Sequence, residues 1–421
     1  MNKSLYIVAF SLAFATTGIA QNNEGQDKTV DLGTQTTTEL RKTQAVSTIY
    51  SDELDKNATT SPYNAIYGLL PGLTVMQNTS WGTDKSRLNV RGRGSLNGDT
   101  PLFVVDGFAR PIEYINLSEI ESISVLKDGA ATALWGGRGA NGVVLITTKR
   151  GMYSKKEIKV DYKFGLGLPV NQPEFADAYT YAKARNEALR YDGLQPDMDE
   201  ASFLAGGNSD LYPNVDWQKE ALRNHTTSHQ LDITFRGGGK RLRYFSVLNY
   251  KNDMGLLNSK YTDYTDRYNS QMKKYFLNLR MNLDVDITDA TKLKLNMLGM
   301  LRETKRPTTS EATLFEQIFN TPSAAFPVQT QNGLWGSNNV LKTNPIANLA
   351  DVGYYKLNQR MLQADLRLIQ DLSVLTRGLS AELAIAYDNN ATYQETAKKS
   401  FMYQTIEKGT DGEPVYTNYG N

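Results

Sequence analysis

Strands with two different faces are the feature that most constrains this chain. In residues 275–287, every second residue is apolar: Leu277, Leu279, Met281, Leu283, Val285 and Ile287. The residues between them are polar: Asn278, Arg280, Asn282, Asp284 and Asp286. Because successive side chains of a β-strand point to opposite faces, this run predicts a strand with one oily face and one charged face. Shorter runs of the same kind occupy 231–236, 293–297, 362–368 and 383–387.

The length and spacing of these runs favour a membrane barrel. The longest run, 275–287, exceeds the usual soluble strand and is long enough for a tilted strand that crosses a bilayer. Tight turns are predicted at 237–239 and 288–289, whereas a long polar segment, 303–357, joins other runs. Short turns on one side and long loops on the other are typical of outer-membrane barrels. A soluble β-sandwich also alternates, so a secreted, non-transporting binding protein is the alternative from another class.

The N-terminus indicates export. Lys3 precedes an apolar run at 5–15, and small residues follow at 18–20. This is the pattern of a secretory signal peptide, and the run is too short to span a bilayer as a helix. We predict a signal peptide over 1–20, with a buried N-terminal helix as the alternative. A polar, flexible periplasmic segment over 21–45 is expected to follow.

Composition and motifs argue against enzyme and metal chemistry. The chain has no cysteine, two histidines and a formal net charge of +1, so thiolate sites are excluded and no broad basic surface indicates nucleic acid. His225 and His229 flank an alternating stretch rather than a helix, which disfavours a metal pair. Residues 137–142 match G-x-G-x-x-G, but a helical stretch precedes that loop and a strand follows it, the reverse of a dinucleotide site. We predict no catalytic residues, cofactor or metal.

Residues 46–151 differ from the rest by their short β-type runs and glycine turns. Turn signals lie at 71–72, 97–98, 106–107 and 141–142. About a hundred residues of this kind suffice for one compact α+β domain, so we predict one at 46–151 and a strand-rich region at 152–421. We expect core or membrane-boundary positions, rather than sugar-stacking roles, for the tryptophans: Trp81, Trp135, Trp217 and Trp335.

The same region carries a family resemblance. Its motif residues are Arg91, Gly92, Gly94, Asp106, Gly107, Lys127, Asp128, Arg138, Gly139, Asn141 and Gly142. Together with their neighbours, over roughly 40–151, they closely resemble the plug domain of SusC/RagA-type TonB-dependent transporters. Residues 214–217 are also similar to the family's segment ahead of an early barrel strand. We interpret the glycines as bends that the fold requires rather than as ligand positions.

The resemblance implies a mainly β protein in which an α+β plug lies inside a transmembrane antiparallel β-barrel of about 22 strands. It implies the outer membrane of a Gram-negative, Bacteroidetes-like bacterium, with outer-membrane lipid around the barrel. Members of the family import large nutrients such as oligosaccharides or peptides. They work with a SusD-like surface lipoprotein and take energy from TonB with ExbB–ExbD. A siderophore or vitamin receptor of the same superfamily is the nearer alternative.

The family also has a short TonB box ahead of the plug. The matching residues here are Thr29, Val30, Asp31, Leu32 and Gly33. An extended segment of this kind is suited to pair with an edge strand of TonB by β-augmentation. Asp31 departs from the apolar family pattern, so an ordinary linker is the alternative.

The number of strands is small for such a barrel. The roughly 270 residues after Gly151 hold about seven to nine candidate strands by their alternation. A barrel of about eight strands is filled by its own side chains and cannot hold a plug of a hundred residues. We therefore expect the chain to be the N-terminal piece of a larger barrel.

Overall fold

The computed structural model describes residues 10–11, 29–33, 36–38, 43–54, 56, 59, 61–76, 86–96, 98–153, 156–170, 172–263 and 268–420. The predicted signal peptide, apart from Phe10–Ser11, lies outside these residues, and so do Trp81, Asn97 and most of the segment 21–45.

The N-terminal part consists of short strands and short helices. Its strands are β1 (Phe10–Ser11), β2 (Thr29–Asp31), β3 (Thr36–Thr38), β4 (Val46–Tyr50), β5 (Leu73–Met76), β6 (Arg87–Val90), β7 (Leu102–Val105), β8 (Phe108–Ala109), β9 (Ile120–Leu126) and β10 (Val143–Thr148). Its helices are α1 (Ser51–Leu54), α2 (Pro62–Ala65) and α3 (Gly129–Thr132), with 3-10 turns at Ile112–Tyr114, Leu117–Glu119 and Ala133–Gly139.

A five-stranded sheet organises this part into the plug domain. Its order is β4-β9-β10-β7-β8; β10 and β7 are parallel, and the other neighbours are antiparallel. Ile120, Ile123 and Val144 lie in its buried core. The strands β2 and β3 form a separate hairpin, as do β5 and β6. The helical turn α3 precedes the glycine loop and β10 follows it, which confirms the predicted order and rules out a dinucleotide-type turn.

The remainder of the chain contributes long antiparallel strands and the helices between them. The strands are β11 (Glu157–Gly167), β12 (Thr226–Gly238), β13 (Leu242–Met254), β14 (Lys273–Asp286), β15 (Thr291–Pro307), β16 (Trp335–Ser337), β17 (Gly353–Asp371), β18 (Ser380–Lys398), β19 (Tyr403–Lys408) and β20 (Pro414–Tyr419). The helices are α4 (Ala178–Tyr191), α5 (Glu200–Ala205), α6 (Trp217–Ala221), α7 (Ser259–Thr262), α8 (Glu311–Asn320) and α9 (Pro345–Ala350).

The longest strands form one sheet beside the plug, here called the wall. Its order is β11-β12-β13-β14-β15-β17-β18, with β1 paired to the outer edge of β11. Every neighbouring pair is antiparallel, and chain order is kept across the sheet. In the described residues the wall thus holds seven strands after the plug, within the predicted range.

The wall shows its polar face to the plug and its apolar face outward. In β14, Asn278 is 0% exposed and Arg280 is 2% exposed, whereas Leu277 and Leu279 are 40% and 50% exposed. A soluble sandwich needs the opposite arrangement, with its apolar face in the core. The alternation therefore produces a sheet whose apolar face points away from the plug and whose polar face points toward it, as in a barrel that surrounds a plug.

The connections between wall strands also differ on the two sides. Short turns at 239–241, 287–290 and 372–379 lie at one end, and long connections at 168–225, 255–272 and 308–352 lie at the other. The prediction of a loop over 303–357 was wrong at its ends, because β15 runs to Pro307 and β17 starts at Gly353. Those polar strand ends are held by ion pairs, such as Lys356 with Glu303 at 3.0 Å. None of the described helices has the length and apolarity needed to cross a membrane.

Candidate coupling segment and plug–wall interface

The predicted TonB box, residues 29–33, is docked on the plug. Val30 is 0% exposed and Leu32 is 6% exposed. Both belong to an apolar cluster that includes Leu126 and Leu145 of the plug sheet. These two side chains are therefore inaccessible to a partner while they remain in this cluster.

Asp31, the departure from the family pattern, has a structural role in this docking. One of its carboxylate oxygens accepts a hydrogen bond from the Gly33 amide at 2.7 Å, and the other accepts one from the Thr147 hydroxyl at 2.9 Å. Gly33 has a positive φ of 97°, and a Cβ there would lie 3.3 Å from the Trp135 ring. Residues 29–33 thus form a local turn that is hydrogen-bonded to β10 through Asp31 and Thr147.

Lys127 and Asp128 join separate parts of the plug. The Lys127 ammonium donates to the Ser47 hydroxyl at 2.5 Å and to the Pro71 carbonyl at 2.8 Å. Asp128 caps α3 by accepting from the Ala131 amide at 2.7 Å, and it accepts from the Ala45 amide at 2.8 Å. Hydrogen bonds from Ala45 and then Ala131 hold the pKa of the Asp128 carboxyl below its usual value. Lys127 and Asp128 thus make these contacts with other residues of the plug itself.

The glycine motifs form bends at one end of the plug. Gly92 and Gly142 have positive φ values of 84° and 90°, and Arg91 has a φ of 56°. A Cβ at Gly142 would lie 2.8 Å from the Val90 Cβ, so that position requires glycine for both conformation and space.

The other members of this group make contacts within the plug or lie exposed. Gly139 is buried against Trp135, whereas Arg138 is exposed. The Asn141 amide donates to the Gly98 carbonyl at 3.1 Å. At Gly94 an added Cβ would meet nothing within 4 Å. We therefore infer no ligand role for this group.

Asp106 and Gly107 form the turn at which the plug touches the wall. The Asp106 side chain accepts from the Thr148 amide at 3.0 Å and from its hydroxyl at 2.6 Å. Its main-chain carbonyl accepts from the Arg367 guanidinium of β17 at 2.9 Å. A Cβ at Gly107 would lie 2.5 Å from Arg367 Nη2, so the absent side chain leaves room for this contact.

A buried ion pair joins the plug to the middle of the wall. The Arg280 Nε of β14 lies 2.5 Å from Oε2 of Glu119, and the two side chains are 2% and 0% exposed. Glu119 also accepts from the Asn278 amide at 2.5 Å and from the Asn116 main-chain amide at 3.1 Å. Burial raises the pKa of the Glu119 carboxyl, and Arg280 opposes that shift.

A second buried cation reaches two wall strands at once. Arg110 Nη1 lies 2.5 Å from Asp365 of β17, and its Nη2 lies 2.8 Å from Asp388 of β18. Its side chain is 3% exposed. Because a buried charge needs charged partners, these two carboxylates hold the plug in one position against the wall.

Sequence reasoning missed Glu119, Arg110 and their partners as interface residues. The available signal was a charged residue between two amides on the inward face of a strand, as with Arg280 between Asn278 and Asn282. Two other wall cations meet main-chain carbonyls of the plug: Arg236 donates to the Arg150 carbonyl at 2.6 Å, and Arg367 donates to the Asp106 carbonyl at 2.9 Å.

The long connections pack into an outer layer with its own apolar core. Trp217 and Trp335 are each 3% exposed there, and their indole groups donate to the Pro322 carbonyl and to Asp351. Trp217 and Trp335 thus lie in this core, whereas Trp135 is half-buried against the plug cluster that holds Val30 and Leu32. A cleft of about 310 Å³ opens beside this core; its rim carries Phe175, which is 48% exposed and stacks on Phe319.

A polar cavity of about 470 Å³ separates the plug from β11–β13. Lys149, Lys163 and Arg236 line it together with Glu121 and Asp232. Within the described ranges, no group of three or more carboxylate or histidine side chains is arranged to hold a metal ion. His229 instead contacts the Phe164 ring and bonds to the Tyr162 hydroxyl at 2.7 Å.

Comparison with known proteins agrees with this architecture. Residues 38–143 match the TonB-dependent Receptor Plug Domain family. TonB-dependent receptor P26 of Formosa agariphila is 28% identical over 281 residues, which cover 65% of this chain and 26% of that protein. TonB-dependent receptor SusC of Bacteroides thetaiotaomicron is 30% identical over 255 residues, 57% of this chain and 24% of SusC. The chain thus spans about a quarter of the length of these curated relatives.

A solved structure extends the similarity in fold across the wall. The RagAB peptide importer in its open-open state superposes with a TM-score of 0.69 at 20% identity, covering 89% of this chain and 43% of that one. Residues 38–143 therefore form a TonB-dependent receptor plug domain, and the chain resembles TonB-dependent receptors over a longer stretch. Its plug and first wall strands resemble those of the SusC/RagA type, as its motifs predicted. Its relatives are receptors and importers rather than enzymes.

Proposed function

We propose that this chain forms the plug and the first barrel strands of a TonB-dependent importer of large nutrients in the outer membrane of a Gram-negative, Bacteroidetes-like bacterium. The observation that carries the proposal is the sidedness of the wall: Leu277 and Leu279 point outward, whereas Asn278 and Arg280 meet the plug. A sheet of this kind is stable where lipid covers one face and a polar domain covers the other.

The substrate class in this proposal is an oligosaccharide or a peptide. RagAB is a peptide importer, and SusC is the other named relative of the same type. The partners in the proposal are TonB with ExbB–ExbD and a SusD-like surface lipoprotein. The cleft beside Phe175, in the layer of long connections, is where we place the first contact with substrate.

Energy coupling in this proposal begins at residues 29–33. Val30 and Leu32 leave their apolar cluster, and the freed segment pairs with TonB as an added strand. Tension on the segment then acts first on β10, to which Asp31 is tied through Thr147.

Deletion of residues 29–33 from the full-length protein tests the coupling step. Energised uptake of a labelled peptide mixture or of labelled glycans should fall to the level of cells treated with an uncoupler. Binding of the same substrate to purified protein should be unchanged. Normal uptake by the deletion variant would contradict the assignment of this segment. Uptake of ferric chelates instead of peptides or glycans would identify a siderophore receptor.

A further inference from the structure

A groove on the outward face of the wall has no role in the proposed transport. It has a volume of about 390 Å³ and lies around Gly299 of β15. Gly299 pairs with Leu279 on one side and with Leu362 on the other. The remaining apolar side chains of its lining include Leu248, Leu277 and Leu301.

The groove exists because one outward position lacks a side chain. An added Cβ at Gly299 would meet nothing within 4 Å, and its φ lies outside the left-handed region, so neither crowding nor backbone conformation requires glycine. The outward neighbours on β15, Met297 and Leu301, are large and exposed. The result is a slot in an apolar surface, with the width of one missing side chain and leucines on its sides.

Positive charge lies at the end of this slot that faces the long connections. Arg360 lines the groove, is exposed, and has no ion pair or hydrogen bond to any residue in the described part of the chain. Its neighbours toward the loops on the same face include three lysines: Lys273, Lys305 and Lys356. Two carboxylates, Glu303 and Glu395, share that region; Glu303 pairs with Lys305 and Lys356 at 3.2 and 3.0 Å. This part of the outward face therefore carries, among the described residues, four cations, Arg360 and the three lysines, but only these two carboxylates.

We propose that this groove binds an acyl chain of a phosphorylated glycolipid of the outer leaflet, with the lipid phosphate on Arg360. The inference rests on the proposed membrane location, in which the long connections face outward from the cell. An unbranched chain fits a narrow slot between leucines. An anionic head group matches the excess of cations at the end of the slot that faces the long connections, because Lys and Arg clusters at a membrane surface attract anionic lipids.

Binding of lipid A to the purified full-length protein in neutral detergent, followed by native mass spectrometry, tests this site. Gly299→Phe fills the slot and should weaken binding by about tenfold, since two or more methylenes lose their contact. Arg360→Gln should weaken it by about fivefold, as expected for one cation at a lipid surface. The matched control is Ala364→Phe, which adds the same ring to the outward face of β17 outside the groove and should bind as the wild type does.

Each other outcome has a definite meaning. Equal binding by wild type, Gly299→Phe and Arg360→Gln overturns the proposal, and the Arg360 variant covers the case in which the phenylalanine variant fails to fold. Competition by inorganic phosphate as strong as that by lipid A would reduce the site to a phosphate contact. A change in oligomeric state with Gly299→Phe would show that a second copy covers the groove. Absence of the wild-type protein from the outer-membrane fraction would refute the proposed function, whereas normal localisation without lipid binding refutes this inference alone.

Discussion

Replacement of Arg280 by methionine tests whether the plug is held in the wall by buried charge. The change removes the guanidinium that lies 2.5 Å from Glu119 and leaves a carboxyl group that is 0% exposed. Removing one partner of a buried ion pair costs about 3–5 kcal/mol. Hydrogen bonds from Asn278 and from the Asn116 amide remain, and the carboxyl can take up a proton. We therefore expect the lower end, about 3 kcal/mol.

The assay is hydrogen exchange on the amides of β9, which directly follows Glu119. Exchange reports the free energy of local opening, and that value should fall by about 3 kcal/mol in Arg280→Met. The double variant Glu119→Gln/Arg280→Met should recover part of the loss, because no charge is then left buried without a partner. Arg243→Met is the matched control: its ion pair with Asp286 lies within the wall, so β9 should exchange as in the wild type. A loss below about 1 kcal/mol in Arg280→Met, as for an exposed pair, would refute the reasoning.

Three further predictions follow from the coupling segment and the plug turns. The chain has no cysteine, so the double variant Asp31→Cys/Thr147→Cys can form only one disulfide. That disulfide should stop energised uptake until a reductant is added. Uptake by the control variant Asp31→Cys should not respond to oxidation. The pKa of the Asp128 carboxyl is lowered in the folded protein. Its carboxylate therefore stabilises the fold at pH values above the pKa that this group has in the unfolded chain. This contribution is lost as the pH falls through the pKa of the group in the folded protein. Acid unfolding of Asp128→Asn, followed by circular dichroism, should lack that part of the pH dependence. Gly142→Ala should destabilise the plug by about 1–3 kcal/mol in hydrogen exchange, since its Cβ meets Val90 and its φ is positive; unchanged exchange would contradict this.

The local pattern predicted much of the fold because it acts over a few residues. Alternation in 275–287 was sufficient to predict both faces of β14, and the glycine signals at 106–107 and 141–142 coincide with positive φ values in the structure. The strand β13 was not recognised, since its inward side chains Phe245 and Val247 are as apolar as its outward ones. Alternation is lost where both faces of a strand carry apolar side chains.

The candidate site was less predictable, because its contacts join distant parts of the chain. The sequence predicted an extended segment at residues 29–33. In the structure, Val30 and Leu32 are buried by residues more than ninety positions away, such as Leu126 and Leu145. No periodicity reports a contact of that kind. The role of the segment as a TonB box stays a prediction, and so do the domain boundaries at 46–151 and 152–421.

The amino-acid sequence by itself determined the sidedness of the wall strands, the bends of the plug and the absence of thiol chemistry, because each depends on residue type and short-range geometry. The tertiary structure alone decided which charges meet. Glu119 and Arg280 are 161 positions apart, and either one in isolation would be a solvated surface charge. Only when the wall packs against the plug does water leave both groups, and a buried carboxylate then requires the cation that the fold has placed beside it.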